Sequence, residues 1–161
     1  MEDQIQNRDR TQFDSLSNEI ESIISTTNAQ LEIWTDCLIG SSDANKAYNL
    51  SYSVKFKGKF VIEAFEYAIN SLVHRHESLR ASFSSNGITM NVYKEFKIEI
   101  SHNDISQLQE NEKKKSKETI INEEVNSLFD LVHGPLFKVK LIKTDELENI
   151  VILTHHHIIG D

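Results

Sequence analysis

Ile150-Val151-Ile152-Leu153-Thr154-His155-His156-His157-Ile158-Ile159-Gly160-Asp161 decides how the chain is read. Its first four residues are apolar on both alternating faces, the pattern of a central strand buried on both sides. That strand runs directly into three histidines and a carboxylate, so titratable groups are delivered from a dry interior to a strand end. Alternation sends His155 and His157 to one side and His156 to the other, and at most two of the three can share a pocket. Imidazole titrates near neutral pH and can accept a proton from an amine or hydroxyl nucleophile. A carboxylate four residues after His157 can fix local geometry or select a tautomer. Against a zinc site, adjacent histidines on a strand point apart and no further Cys/His set stands at ligand spacing. Satisfied structural histidines at a strand end are the plain alternative.

Working back from this stretch, residues 136–142 form the other arm of a hairpin across the polar turn 143–149, after a chain break at Gly134-Pro135. Residues 104–129 are rich in Glu, Lys and Gln, with Ile105, Leu108, Ile120, Ile121, Val125 and Leu128 spaced among them. They read as one long or two shorter helices, the run Lys113-Lys114-Lys115 being a solvated face. Residues 79–83 and 88–93 are extended and joined through Ser84-Ser85-Asn86-Gly87, where Asn-Gly tolerates the positive φ of a tight hairpin. A further strand is expected over 96–100. From 60 to about 74, Val61, Phe65, Ala68, Ile69, Leu72 and Val73 repeat at three and four, which specifies a helix. Residues 48–56 alternate Leu50, Tyr52, Val54 and Phe56 against Asn49, Ser51, Ser53 and Lys55, a strand with one wet face. Residues 29–39 carry Leu31, Trp34, Leu38 and Ile39 at helical spacing, with Gly40 as a stop. The polar stretch before Thr27 has a weak helical rhythm of Phe13, Leu16, Ile20 and Ile23 or Ile24, so residues 1–26 read as a lead-in helix or linker.

Composition sets outer limits. The length of 161 residues suits one domain with a buried core, and 39% apolar and 26% charged residues with one Pro and five Gly describe a folding chain. Seventeen basic against 25 acidic residues give a net charge of -8, which repels phosphate backbones and anionic lipid and speaks against nucleic-acid and membrane partners. Cys37, the single cysteine, permits no internal disulfide or thiolate cluster and reads as packed rather than reactive. The first residues are polar and acidic, and no run approaches the ~20 apolar residues of a membrane span. A cytoplasmic location is the expectation.

Four blocks, in order and spacing, resemble the condensation domains of nonribosomal peptide synthetases. His156-His157-Ile158-Ile159-Gly160-Asp161 is similar to the family's HHxxxDG motif cut one residue short. Arg75-His76-Glu77-Ser78-Leu79-Arg80-Ala81-Ser82-Phe83 resembles RHExLRTxF, with Ala81 in place of Thr. Asn28-Ala29-Gln30-Leu31-Glu32-Ile33-Trp34 is similar to SxAQxRLW, with Glu32 where Arg is common. Phe129-Asp130-Leu131 followed by Gly134-Pro135-Leu136 resembles FDLxxGPL. The histidines set the chain apart from the cyclisation subtype, whose motif carries aspartates, and RHESLR fits condensation better than epimerisation. His155 replaces the Met or other apolar residue common before the histidine pair.

The resemblance implies a chloramphenicol acetyltransferase-like N-terminal lobe, an α/β (α+β) two-layer sandwich with a mixed sheet flanked by helices. Residues 27–161 would form this lobe, ending within the motif, with the C-terminal lobe outside the chain. It implies an acyltransferase in which a carrier-bound acceptor amine attacks a carrier-bound donor thioester to form an amide. No cofactor or metal would bind directly, the substrates being carried on the phosphopantetheine of carrier proteins. By position His157 is implied as the catalytic residue. His156 and Asp161 would be structural, with Arg75 and Arg80 the in-chain candidates to hold Asp161. Expected partners are donor and acceptor carrier proteins, the C-terminal lobe and neighbouring synthetase domains. The fragment alone is expected to be inactive, and exposed lobe surface would favour dimerisation. Two other readings stay open: a CoA-dependent acyltransferase of the chloramphenicol acetyltransferase type, and a non-catalytic carrier-docking module.

Overall fold

The computed structural model describes residues 19–160. In chain order these form β1 (Ile20–Ser25), α1 (Asn28–Ala47), β2 (Asn49–Lys57), α2 (Ile62–Arg75), β3 (Ala81–Phe83), β4 (Thr89–Tyr93), β5 (Ile100–Asp104), α3 (Glu110–Val125), β6 (Phe137–Asp145) and β7 (Glu148–His156). A four-stranded sheet has the order β2-β7-β6-β5, and a smaller one the order β1-β4-β3. All pairings are antiparallel except β5 with β6, so the larger sheet is mixed.

The apolar character of β7 on both faces follows from its place in this sheet. Val151 joins Val139 and Leu141 of β6 and Ile69 and Val73 of α2 in one cluster. Ile150 and Ile152 point the other way, with Ile142, onto Ile120 of α3 and onto Ile105, the residue after β5. Helix α2 therefore lies against one face and α3 against the other. Burial of each such branched side chain contributes roughly 1.5–3 kcal/mol, which fixes the register of β7 and the place where it releases its histidines. No helix among the described residues is long and apolar enough to cross a membrane.

Several expectations change. Over Ile20–Ser25 the expected lead-in helix is a strand, because its backbone pairs with β4 some seventy residues later in sequence, a contact invisible to local periodicity. Phe13 and Leu16 lie outside the described residues. Helix α1 starts where Thr27 and Gln30 form a reciprocal capping box, and it runs past Gly40 to Ala47 with a break at Ser41 (φ 54°). The strand expected over 96–100 begins only at Ile100. Asn70 of α2 explains the delay: its Oδ1 accepts from Ile98 N–H at 2.9 Å and its Nδ2 donates to Ile98 O at 3.4 Å, replacing a strand partner. Strand β2 lies at the sheet edge, and its apolar row is largely uncovered, with Tyr52, Val54 and Phe56 all exposed.

The hairpin between β3 and β4 closes through Gly87 at φ +71°, and a Cβ there would lie 2.4 Å from Trp34 Cδ2. Trp34 thereby ties the small sheet to α1. Gly87→Ala is expected to destabilise the chain by roughly 2–4 kcal/mol, combining left-handed strain with displacement of the indole. Urea unfolding at neutral pH reads this directly, and a loss under about 1 kcal/mol would show that the Trp34 contact does not hold the sheet.

Candidate active site

Strand β7 ends by feeding His156 into the interior and His157 toward its edge. His156 is fully buried, whereas His155 and His157 are half-buried, in agreement with the alternation of the strand. His156 Nδ1 accepts from Ile158 N–H at 3.2 Å, so its proton sits on Nε2, 3.7 Å from Cys37 Sγ. The ring packs edge-on to Phe129 at 6.0 Å and tilted against Tyr48 at 5.9 Å. Burial, with His157 beside it, pushes its pKa down to about 4, so His156 is a neutral packing element at physiological pH. Burial likewise pushes the Cys37 thiol up to about 11, with Asp36 adding to the shift. Cys37 is thus a protonated packing residue rather than a nucleophile.

His157 has the opposite arrangement. Its backbone N–H donates to Tyr48 O at 2.8 Å, and a short 3-10 turn over His157–Ile159 follows. Its Nδ1 donates to Gly160 O at 2.7 Å. A carbonyl can only accept, so this bond places a proton on Nδ1 and, in the neutral ring, leaves a lone pair on Nε2. The imidazole face stacks over Tyr48 with centroids 6.4 Å apart, and Tyr48 is itself anchored by its hydroxyl donating to Asp36 at 2.7 Å. Ile158 and Ile159 are buried and pin the turn from below.

The four sequence blocks come together around this turn. From the first, Gln30 Nε2 donates to Ile158 O at 3.2 Å while its Oε1 accepts from Thr27 N–H at 3.0 Å, linking the start of α1 to the histidine loop. From the block at 129–136, Leu136 O accepts from His156 N–H at 3.0 Å, and Phe129 supplies the ring against His156. Asn45 holds Phe129 through both backbone groups, each bond 3.0 Å. The block at 75–83 reaches the same cluster through Phe83, whose N–H donates to Leu131 O at 2.7 Å.

The arginines are placed differently. Arg80 is buried, and its guanidinium bonds Glu21 and the carbonyl of Tyr93, on the side of the small sheet. Arg75 is exposed at the end of α2 and forms no ion pair among the described residues. Asp161 lies outside the described residues. Sequence reasoning did not single out Tyr48, Asn45 or the bridging role of Gln30. The Thr27-x-x-Gln30 capping box was a readable signal for the last of these; the two others act across more than 80 residues of chain. Among the described residues no three His, Cys, Asp or Glu side chains gather closely enough to hold a metal ion. A separate groove of about 770 Å³ between α2 and residues 95–102, lined by Glu63, Glu66, Glu95 and Glu99, includes none of the histidine-loop residues.

The sequence profile of the family described as Condensation domain matches residues 20–161, and the chain belongs to that family. It is 34% identical over 136 residues to a linear gramicidin synthase of Brevibacillus parabrevis, covering 83% of this chain and 3% of that protein. To bacitracin synthase 3 of Bacillus licheniformis it is 35% identical over 117 residues, 71% of this chain and 2% of that protein. The chain thus spans a few per cent of these relatives' length. The starter condensation domain of the rhizomide synthetase superposes with a TM-score of 0.75 at 19% identity, over 85% of this chain and 33% of that one. A four-domain nonribosomal peptide synthetase bound to AMP and glycine gives 0.76 at 18%, over 91% and 11%. These neighbours share the mixed α/β fold of the condensation domain.

Proposed function

We propose that this chain is the N-terminal lobe of a domain that forms an amide between a donor acyl or peptidyl thioester and an acceptor aminoacyl amine, both carried on phosphopantetheine arms of carrier proteins. The observation that carries the reading is the Nδ1–H bond of His157 to Gly160 O, which leaves Nε2 as a lone pair at the strand end. In the proposed step the amine nitrogen attacks the thioester carbonyl carbon, a C–N bond forms and the C–S bond breaks. The amine proton passes to His157 Nε2 and on to the departing thiolate. The Gly160 carbonyl suits both stages, since Nδ1–H donates to it in the neutral ring and more strongly in the imidazolium.

In this reading His156 is structural and sets the loop from below. Asp161 is assigned the supporting role that the family resemblance implies, an ion pair that would hold the loop. Because Arg80 is occupied by Glu21 and Tyr93, Arg75 or an arginine elsewhere in the domain is favoured for that pair. The exposed row Tyr52, Val54 and Phe56 on β2 supports burial of this edge against a further lobe. The test uses the whole condensation domain with separately loaded donor and acceptor carriers, and mass spectrometry of the acceptor. Amide product on the acceptor carrier is the expected result. Acetyl transfer from free CoA to a small acceptor, with no carrier-to-carrier product, would replace this reading with that of a CoA-dependent acyltransferase.

A further inference from the structure

His155 stands where an apolar residue is usual, and the proposed proton transfer makes no use of it. It leaves β7 on the face shared with its register partners Leu50 and Phe137. Its ring lies nearly parallel to that of Tyr52, 14° apart with centroids at 6.2 Å. The Nε2–Cδ2 edge of the imidazole abuts Gly160: a Cβ built on that glycine would fall 2.7 Å from His155 Nε2 and 3.0 Å from Cδ2. Gly160 in turn donates its N–H to His157 O at 3.1 Å and accepts from His157 Nδ1 at 2.7 Å. The contacts form a continuous series from Tyr52 through His155 and Gly160 to His157. A flexible side chain at 155 would leave the Gly160 peptide free to rotate, and the carbonyl that selects the His157 tautomer would lose its direction.

We propose that His155 is a positioning residue, a flat plate held between Tyr52 and Gly160 that aims the Gly160 carbonyl at His157 Nδ1 and so keeps the Nε2 lone pair facing outward. The catalytic consequence rests on the proposed role of His157; the tautomer consequence does not. What the plate supplies is shape, so an aromatic ring without nitrogens should serve equally well.

The experiment uses the whole condensation domain labelled with ¹⁵N-histidine. Long-range ¹H–¹⁵N correlation at about pH 8 reads each tautomer, and the His157 signals are assigned by their loss in His157→Ala. In the parent, His157 is expected wholly as the Nδ1–H form. His155→Ala, and independently Tyr52→Ala on the exposed edge strand, should populate the Nε2–H form and lower kcat about 10-fold with KM little changed, as expected when a reacting group is misaligned. His155→Phe should restore both the tautomer and kcat. An unchanged tautomer in folded His155→Ala and Tyr52→Ala overturns the proposal, as does a His155→Phe protein that behaves like the alanine variant. Should the tautomer shift as expected while His157→Ala retains full transfer activity, positioning stands and the functional reading of His157 fails.

Discussion

Replacing His157 by alanine in the whole domain should lower carrier-to-carrier amide formation by roughly 10²–10⁴-fold, the range over which a positioned general base accelerates proton transfer. The loss should fall on kcat and kcat/KM alike, because the ring meets the amine proton only as the amine attacks and adds little to ground-state binding of large carrier-bound substrates. Folding should be little affected: His157 is half-buried, and its removal gives up one side-chain hydrogen bond to Gly160 O, worth about 1 kcal/mol. His156→Ala should show the reverse emphasis, since that ring is fully buried against Phe129, Tyr48 and Cys37 and its loss opens a cavity. Single-turnover kinetics with preloaded carriers and a thermal melt of each variant separate the two cases. Near-parental turnover in folded His157→Ala would remove the residue from the chemistry.

That His156 and His157 leave β7 on opposite sides was legible from strand alternation, because β7 is held in register by apolar burial on both faces and has no freedom to rotate. Helix α2 and the β3–β4 hairpin were legible for a similar reason: their signals, a three-four repeat and Asn86-Gly87, act within a few residues. What could not be read were features decided across the chain. β1 is a strand only because β4 offers it an edge. The late start of β5 depends on one asparagine of α2 capturing Ile98. The exposure of Tyr52, Val54 and Phe56 depends on how little of the described fold packs over that face of β2, although its pattern is that of a half-buried strand.

The site divides along the same line. Sequence placed the histidines and the four blocks; it did not say how the blocks touch. In the fold, Gln30 links the first block to the histidine turn and Asn45 clamps the 129–136 block. Tyr48 both receives the His157 N–H and presents its ring to both histidines. All three side chains satisfy or orient groups at chain turns, where the sheet no longer does so.

The buried histidine gives the chain a pH dependence of stability with a definite sign. In the unfolded chain His156 takes up a proton near pH 6.5, whereas in the fold burial and the neighbouring His157 hold it neutral down to about pH 4. Between those values the unfolded state binds more protons, so stability is fully present above pH 6.5 and drains away as pH falls toward 4. Fully expressed, the loss is on the order of 3 kcal/mol, a sizeable part of a typical domain's stability. His155, also shifted downward by burial and then by His157, adds to the same slope. Asp104, held low by its Ser106 hydrogen bonds, withdraws its contribution only below this window, whereas Glu148, held low by its Lys55 hydrogen bond, begins to do so at the window's acid end. Equilibrium urea unfolding of the chain at about pH 8, 6 and 5 should therefore show the unfolding free energy falling with acidity. His156→Met should start lower at pH 8, having lost the acceptor for Ile158 N–H, and fall less steeply. NMR titration of the parent protein gives an independent reading, since the His156 ring should remain neutral until about pH 4 or until the fold is lost. A ring that titrates near 6.5 in the folded chain, or an unfolding free energy that is flat across the window, would mean that water reaches His156 and that the packing beneath the site is looser than the structure describes.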